Sequence, residues 1–117
     1  MADSAEILLK KILDKTNIEE VIGKSKDYPF ETINKLSIET ALKYYKGDLT
    51  FQEGNNVMNK LWSFWVFHAD NTNNWFGELP YECYEAFDLG EWVGDTTPIK
   101  HPDEIVKPII EGILKRL

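Results

Sequence analysis

The sequence predicts an all-α protein, a compact bundle of about five helices forming one domain over residues 1–117. Three observations carry this. Apolar residues recur at three- and four-residue spacing in successive stretches. Capping residues and glycines stand at the ends of those stretches. Nothing alternates apolar and polar residues convincingly as a half-buried strand does. The candidate strand LWSFWVF continues a helical stripe from upstream.

Asp3 and Glu6 place an acid at the cap and another in the first turn of a helix over about 4–15, with Leu8, Leu9, Ile12 and Leu13 on its apolar side. Asn17 can cap a short helix through Ile18, Val21 and Ile22, stopped by Gly23. After a polar, turn-like segment, Pro29 opens the next helix. Its apolar face reads as Ile38, Leu42 and Tyr45, and Gly47 ends it. Thr50 and Glu53 form a capping box. The helix behind them carries Val57, Met58, Leu61, Trp62, Trp65 and Val66 as one broad stripe. Phe64, Phe67 and His68 lie off that stripe, which makes the helix apolar nearly all round and predicts a central position.

The DNTNN run, 70–74, predicts a loop. Pro80 suits the first position of the next helix, with Tyr81, Tyr84 and Phe87 stepping by three and Gly90 or Gly94 as its end. A loop over 95–101 follows. The last helix starts near Pro102, with Asp103 and Glu104 in its first turn and Lys115 and Arg116 in its last. Its stripe is Ile105, Val106, Ile109, Ile110, Ile113, Leu114 and Leu117, and Pro108 is expected to bend it or shift its start.

Charge is distributed unevenly. Residues 70–104 hold nine carboxylates, Asp70, Glu78, Glu82, Glu85, Asp88, Glu91, Asp95, Asp103 and Glu104, against the single cation Lys100, a net −8. The whole chain carries −7, so the remainder is nearly neutral. Trp75, Phe76, Tyr81, Tyr84, Phe87 and Trp92 run through the same acids. Such a surface favours a basic protein partner and disfavours nucleic acid and anionic membrane. Glu82, Glu85, Asp88 and Glu91 step by three and wind across about half of a helix surface at 100° per residue. They form either an acidic, aromatic-edged docking face or a solvated outer face over a buried aromatic stripe. Ordinary surfaces mix both signs of charge, and this segment does not.

The chemistry-bearing residues point to no reaction. Neither His68 nor His101 follows a glutamate by three residues, and no calcium-loop spacing exists, so no metal or cofactor is expected. There is no G-x-S-x-G, no H-E-x-x-H, no cysteine–histidine signature and no glycine-rich phosphate loop. Cys83, the one cysteine, sits between carboxylates that raise a thiol pKa, which suits packing rather than nucleophilic attack. Asn55, Asn56, Asn59, Asn71, Asn73 and Asn74 cluster in and after one helix, where amides can meet a sugar or simply serve caps and turns. With no apolar run near the ~20 residues of a membrane span, and an N-terminus unlike a signal peptide, the chain reads as a soluble, cytoplasmic domain.

In size, acidity, helical pattern and lack of catalytic signatures the chain resembles the small bacterial immunity proteins that bind cognate toxins. The segment nearest to a local feature is PYECYEAFDLGEW, 80–92. The resemblance implies stoichiometric inhibition, by covering an active site or essential surface of a toxin. Trp75, Tyr81 and Trp92 would anchor the complex, and Glu82, Glu85, Asp88 and Glu91 would steer it. The alternative is a self-associating structural or regulatory adaptor, a homodimer through Trp62, Phe64 and Phe67. A Trp-lined small-molecule pocket is a third reading, and no nucleophile–base pair supports it.

Overall fold

The computed structural model describes residues 4–14, 17–22, 29–69, 75–96 and 101–117, the side chains of 68, 69 and 93–96 excepted. Six helices follow one another among the described residues: α1 (Ala5–Leu13), α2 (Ile18–Ile22), α3 (Phe30–Lys46), α4 (Phe51–Ala69), α5 (Glu78–Thr96) and α6 (Pro102–Lys115). The protein is all-α, with no strand among the described residues. The count is six because the short segment after Asn17 is a helix in its own right.

Local chemistry sets most of the ends. Ser4 caps α1, its Oγ accepting from the Ile7 N–H at 3.3 Å; Asp3, the expected cap, lies outside the described residues. Asn17 Oδ1 accepts from the Glu19 N–H at 2.8 Å and opens α2. The capping box of α4 is reciprocal: the Thr50 N–H donates to Glu53 Oε1 at 2.9 Å, and the Glu53 N–H to Thr50 Oγ1 at 3.1 Å. Gly47 closes α3 with φ of 87°, a left-handed conformation that glycine adopts without a Cβ clash. His101 caps α6 through Nδ1, which accepts from the Asp103 N–H at 3.1 Å.

Four expectations need correction. The buried face of α3 is Ile33, Leu36, Ser37, Thr40, Ala41 and Tyr44, while Ile38 and Leu42 are half-buried and Tyr45 is exposed. Two hydroxyls on the inward face made it look polar. Each is satisfied inside its own helix, Ser37 Oγ donating to the Ile33 carbonyl at 2.8 Å and Thr40 Oγ1 to that of Leu36 at 2.7 Å. Pro80 is the third residue of α5, not the first; its missing N–H costs nothing there, because first-turn N–H groups have no helical acceptor. Gly90 does not end α5, which runs on to Thr96. The glycine is a packing residue: a Cβ there would stand 2.3 Å from Val106 Cγ2 and 2.7 Å from a Phe51 ring carbon. Pro108 does not shift the start of α6, which begins at Pro102, and the helix runs through it.

The core draws on every helix: Leu9 and Ile12 from α1, Val21 from α2, the α3 face, Val57, Met58, Leu61 and Phe64 from α4, Cys83, Ala86 and Phe87 from α5, and Val106, Ile110 and Ile113 from α6. Helix α4 packs against α1, α2, α3 and α5, but it is not covered on every side as its all-round apolar character predicts, since Val66 and Phe67 are exposed. Where α3, α4, α5 and α6 meet, the rings of Tyr44, Phe51 and Phe87 touch edge-on or tilted, 5.0–6.5 Å between centroids. Gly54 makes room for that cluster, since a Cβ there would stand 2.6 Å from the Phe87 ring. Polar ties join the outer helices. Lys60 Nζ donates to the Ile12 carbonyl near the end of α1 at 3.3 Å, and Lys43 reaches Glu6 at 3.3 Å. The hydrogen bond to Glu6 raises the Lys43 pKa above its ordinary value.

Candidate functional site

Helix α5 organises the acidic segment into three ridges. Cys83, Ala86, Phe87 and Gly90 are buried and face the core. Opposite them Tyr81, Glu85, Asp88 and Trp92 follow one outward line at spacings of four, three and four, as a 3.6-residue repeat requires. Glu82 and Leu89, seven apart, lean toward α6, and Tyr84 and Glu91, seven apart, lean toward α4. The four acids therefore do three different things.

Glu82 accepts from Arg116 at 2.8 Å, so the C-cap of α6 supplies a cation from outside the acidic segment. Glu91 accepts from Asn55 Nδ2 at 3.2 Å, and Asn55 is only 4% exposed on α4. That contact is structural, an α4–α5 tie satisfying a buried amide. Glu85 and Asp88 remain on the outward ridge, both exposed. A hydrogen bond with Glu85 is the first cause raising the Tyr81 pKa, ahead of the Glu85 and Asp88 charges. The Tyr84 hydroxyl is also pushed up, by burial first and by Asp88 and Glu91 after it.

The aromatic residues separate in the same way. Trp75 and Tyr81 belong to a cluster bridging α4 and α5. Trp62 stacks on Tyr84 with centroids 4.5 Å apart at 9°, Trp65 meets Trp75 edge-on at 5.3 Å, and Trp75 meets Tyr81 at 5.2 Å. Phe76 closes the inner side, 5.4 Å from Trp62. Trp75 keeps an exposed edge, so it can still meet a partner, but most of the cluster is spent on holding α4 to α5. Trp92, at the end of the outward ridge, is 63% exposed.

Between α5 and α6 lies a groove of about 760 Å³. Leu89, Trp92, Pro108 and Ile109 form much of its apolar lining, Glu82, Glu85 and Asp88 its α5 wall, with Gly112 of α6 and Arg116, the C-cap of α6, on the other side. It brings together four of the seven sequence-predicted site residues, Glu82, Glu85, Asp88 and Trp92, and excludes Trp75, Tyr81 and Glu91. Sequence reasoning missed Leu89, Ile109, Gly112 and Arg116. The signal available was Gly112, a glycine within an otherwise strong apolar stripe.

The other candidates are placed as follows. Cys83 is buried, and its thiol is pushed up to about 12, by burial first and the Glu82 charge second, against an opposing pull from Arg116. It is a protonated packing group at neutral pH. Phe64 is buried, so the exposed large apolar side chains of α4, among those described, reduce to Val66 and Phe67, the latter 78% exposed. Asn56 accepts from Gln52 within α4 at 3.2 Å. Asp70, Asn71, Asn73, Asn74 and Lys100 lie outside the described residues. Among the described residues no group of three His, Cys, Asp or Glu side chains is arranged to hold a metal ion, and no helix is long and apolar enough to cross a membrane. Comparison with known protein families, characterised proteins and solved structures finds no match to this chain.

Proposed function

We propose that this chain is a protein-binding module without catalytic activity, of the immunity or inhibitor type, that neutralises a basic toxin or enzyme by covering its surface. The observation that carries the reading is the outward ridge of α5. Glu85 and Asp88 are exposed beside Trp92, and among the described residues neither carboxylate is paired with a lysine or arginine. Exposed like charges on a rigid helix attract a basic surface during encounter, and a neighbouring aromatic supplies the desolvated contact that slows dissociation. Glu82 contributes less to steering, because Arg116 neutralises it, whereas Glu91 keeps its charge while its hydrogen bond from Asn55 fixes its position.

The test is capture from lysate of the source cell with the wild type and a Glu85→Lys/Asp88→Lys variant, read by mass spectrometry. One basic protein held by the wild type and lost by the variant supports the reading. With that protein in hand, association slows steeply as salt rises, while dissociation changes little. Identical captures, or a salt-independent on-rate, sink it.

A second reading has its own observation. Val66 and Phe67 are exposed near the end of α4, the kind of patch through which an adaptor self-associates. Sedimentation of the wild type and of Phe67→Glu decides it: a dimer that the variant splits favours the adaptor, and a wild-type monomer removes it. Phe64, expected on that face, is core and takes no part in it.

A further inference from the structure

Gly112 is a glycine that the fold of α6 does not need. It lies inside the helix, where glycine is less favourable than alanine because it loses more backbone freedom. Its backbone is not left-handed, and a Cβ built there meets nothing within 4 Å. Gly54 and Gly90 are different, since each is held as glycine by a ring or methyl group closer than 3 Å. What Gly112 does have is a position on the groove between α5 and α6. A side chain there would project into open space, and its absence leaves the α6 side of the groove deep.

The rest of the groove has a definite chemical character. Leu89, Trp92 and Ile109 are large apolar side chains left exposed along it. Glu82, Glu85 and Asp88 repeat every three residues on one wall, each about 4.5 Å further along the axis. The opposite wall offers Arg116, which Glu82 already neutralises, so the lining is net negative. From Glu82 to Trp92 the wall runs about 15 Å at 1.5 Å per residue, close to three helical turns. An apolar floor of that length with a periodic acidic wall complements a helix whose apolar stripe is flanked by lysines or arginines one turn apart.

Resting on the reading of this chain as a binder of basic proteins, we infer that its partner docks a basic amphipathic helix into the α5–α6 groove, packed over Gly112. Leu89, Trp92 and Ile109 receive the apolar stripe, and Glu85 and Asp88 receive the flanking cations. Gly112 is the depth-setting residue: it trades helix stability for close approach of the occupant.

The test uses the full chain, labelled with ¹⁵N, and two synthetic helical peptides, one of leucine and lysine with leucines at i, i+3, i+4 and i+7, the other with glutamate replacing lysine. The Leu/Lys peptide is expected to shift amides in 82–92 and 108–116, and the Leu/Glu peptide to shift neither. Gly112→Leu is expected to weaken Leu/Lys binding at least tenfold while melting no lower than the wild type. Opposite movements of binding and stability are not what a merely structural glycine produces. The inference is overturned if the Leu/Lys peptide does not bind, if Gly112→Leu binds it unchanged, if shifts centre on the Trp62–Trp75 cluster, or if Gly112→Leu dissociates a wild-type dimer. Binding lost in Glu85→Lys/Asp88→Lys but kept in Gly112→Leu overturns the groove alone and leaves the acidic ridge of α5 as the binding surface.

Discussion

The hydroxyl of Tyr44, near the end of α3, donates to Oδ1 of Asp103 in the first turn of α6. The Tyr44 ring is buried against Phe87, and Lys107 Nζ sits 5.3 Å from its centroid, so one side chain joins core packing, a charge-assisted hydrogen bond and a cation contact. Tyr44→Phe keeps the ring and removes only the hydroxyl. A hydrogen bond to a carboxylate is worth about 1.5–3 kcal/mol, and water can re-solvate the partly exposed Asp103. Urea unfolding is expected to show a loss near the lower end of that range. A double cycle with Asp103→Asn is expected to show strong coupling, and additivity would mean that the bond contributes nothing.

Two buried acids make the fold sensitive to alkali. Burial first, and then the bond to Asp103, push the Tyr44 hydroxyl well above its ordinary 10.0. Burial pushes the Cys83 thiol from 9.0 to about 12. In both cases the folded chain holds its proton more tightly than the unfolded chain. Their contribution is therefore complete below the unfolded pKa of each, and it is lost as pH rises, from about 9 to 12 for Cys83 and from about 10 upward for Tyr44. Urea midpoints are expected to fall above about pH 9. The fall should be shallower in Cys83→Ala, whatever that variant's lower starting stability. A thiol reagent should label Cys83 only as fast as the chain opens.

Three helix glycines should respond oppositely to alanine. Gly90→Ala drives a methyl into Val106 and Phe51, and Gly54→Ala drives one into the Phe87 ring. Overpacking of this kind costs about 1–3 kcal/mol, more than the gain in helix propensity. Gly112→Ala meets open space and should stabilise by about 0.5–1 kcal/mol. Thermal melts of the three variants check the order, and a destabilised Gly112→Ala would contradict it.

Glu91 and Glu85 share a helix and a charge, yet they should not be equivalent. Glu91→Ala leaves the buried Nδ2 of Asn55 without its acceptor, at a cost of about 1–3 kcal/mol. Glu85→Ala changes an exposed side chain and should stay within about 0.5 kcal/mol. Equal unfolding midpoints would show that the Asn55–Glu91 bond is not holding α4 to α5.

What this sequence determined by itself is local. Thr50 and Glu53, three residues apart, make their capping box with no help from the rest of the chain, and so do Asn17 at α2 and Gly47 at the end of α3. The apolar stripes of α4 and α6 were legible in part, because burial follows the helical period: Val57, Met58, Leu61, Val106, Ile110 and Ile113 are buried, while Val66, Ile109 and Leu117 are exposed and Phe64, off the stripe, is buried. Tertiary structure decided the rest. Ser37 and Thr40 turn inward because each hydroxyl bonds four residues back, which hides polarity that the sequence displays openly. Glu82 meets Arg116 and Glu91 meets Asn55 across more than thirty residues, so a run of acids that looks uniform along the chain is divided among α6, solvent and α4. Gly90 and Gly112 are the same residue type on facing helices. Only the neighbours brought by folding make the first a tight crossing and the second an open floor, because glycine's meaning lies in what stands where its side chain is not.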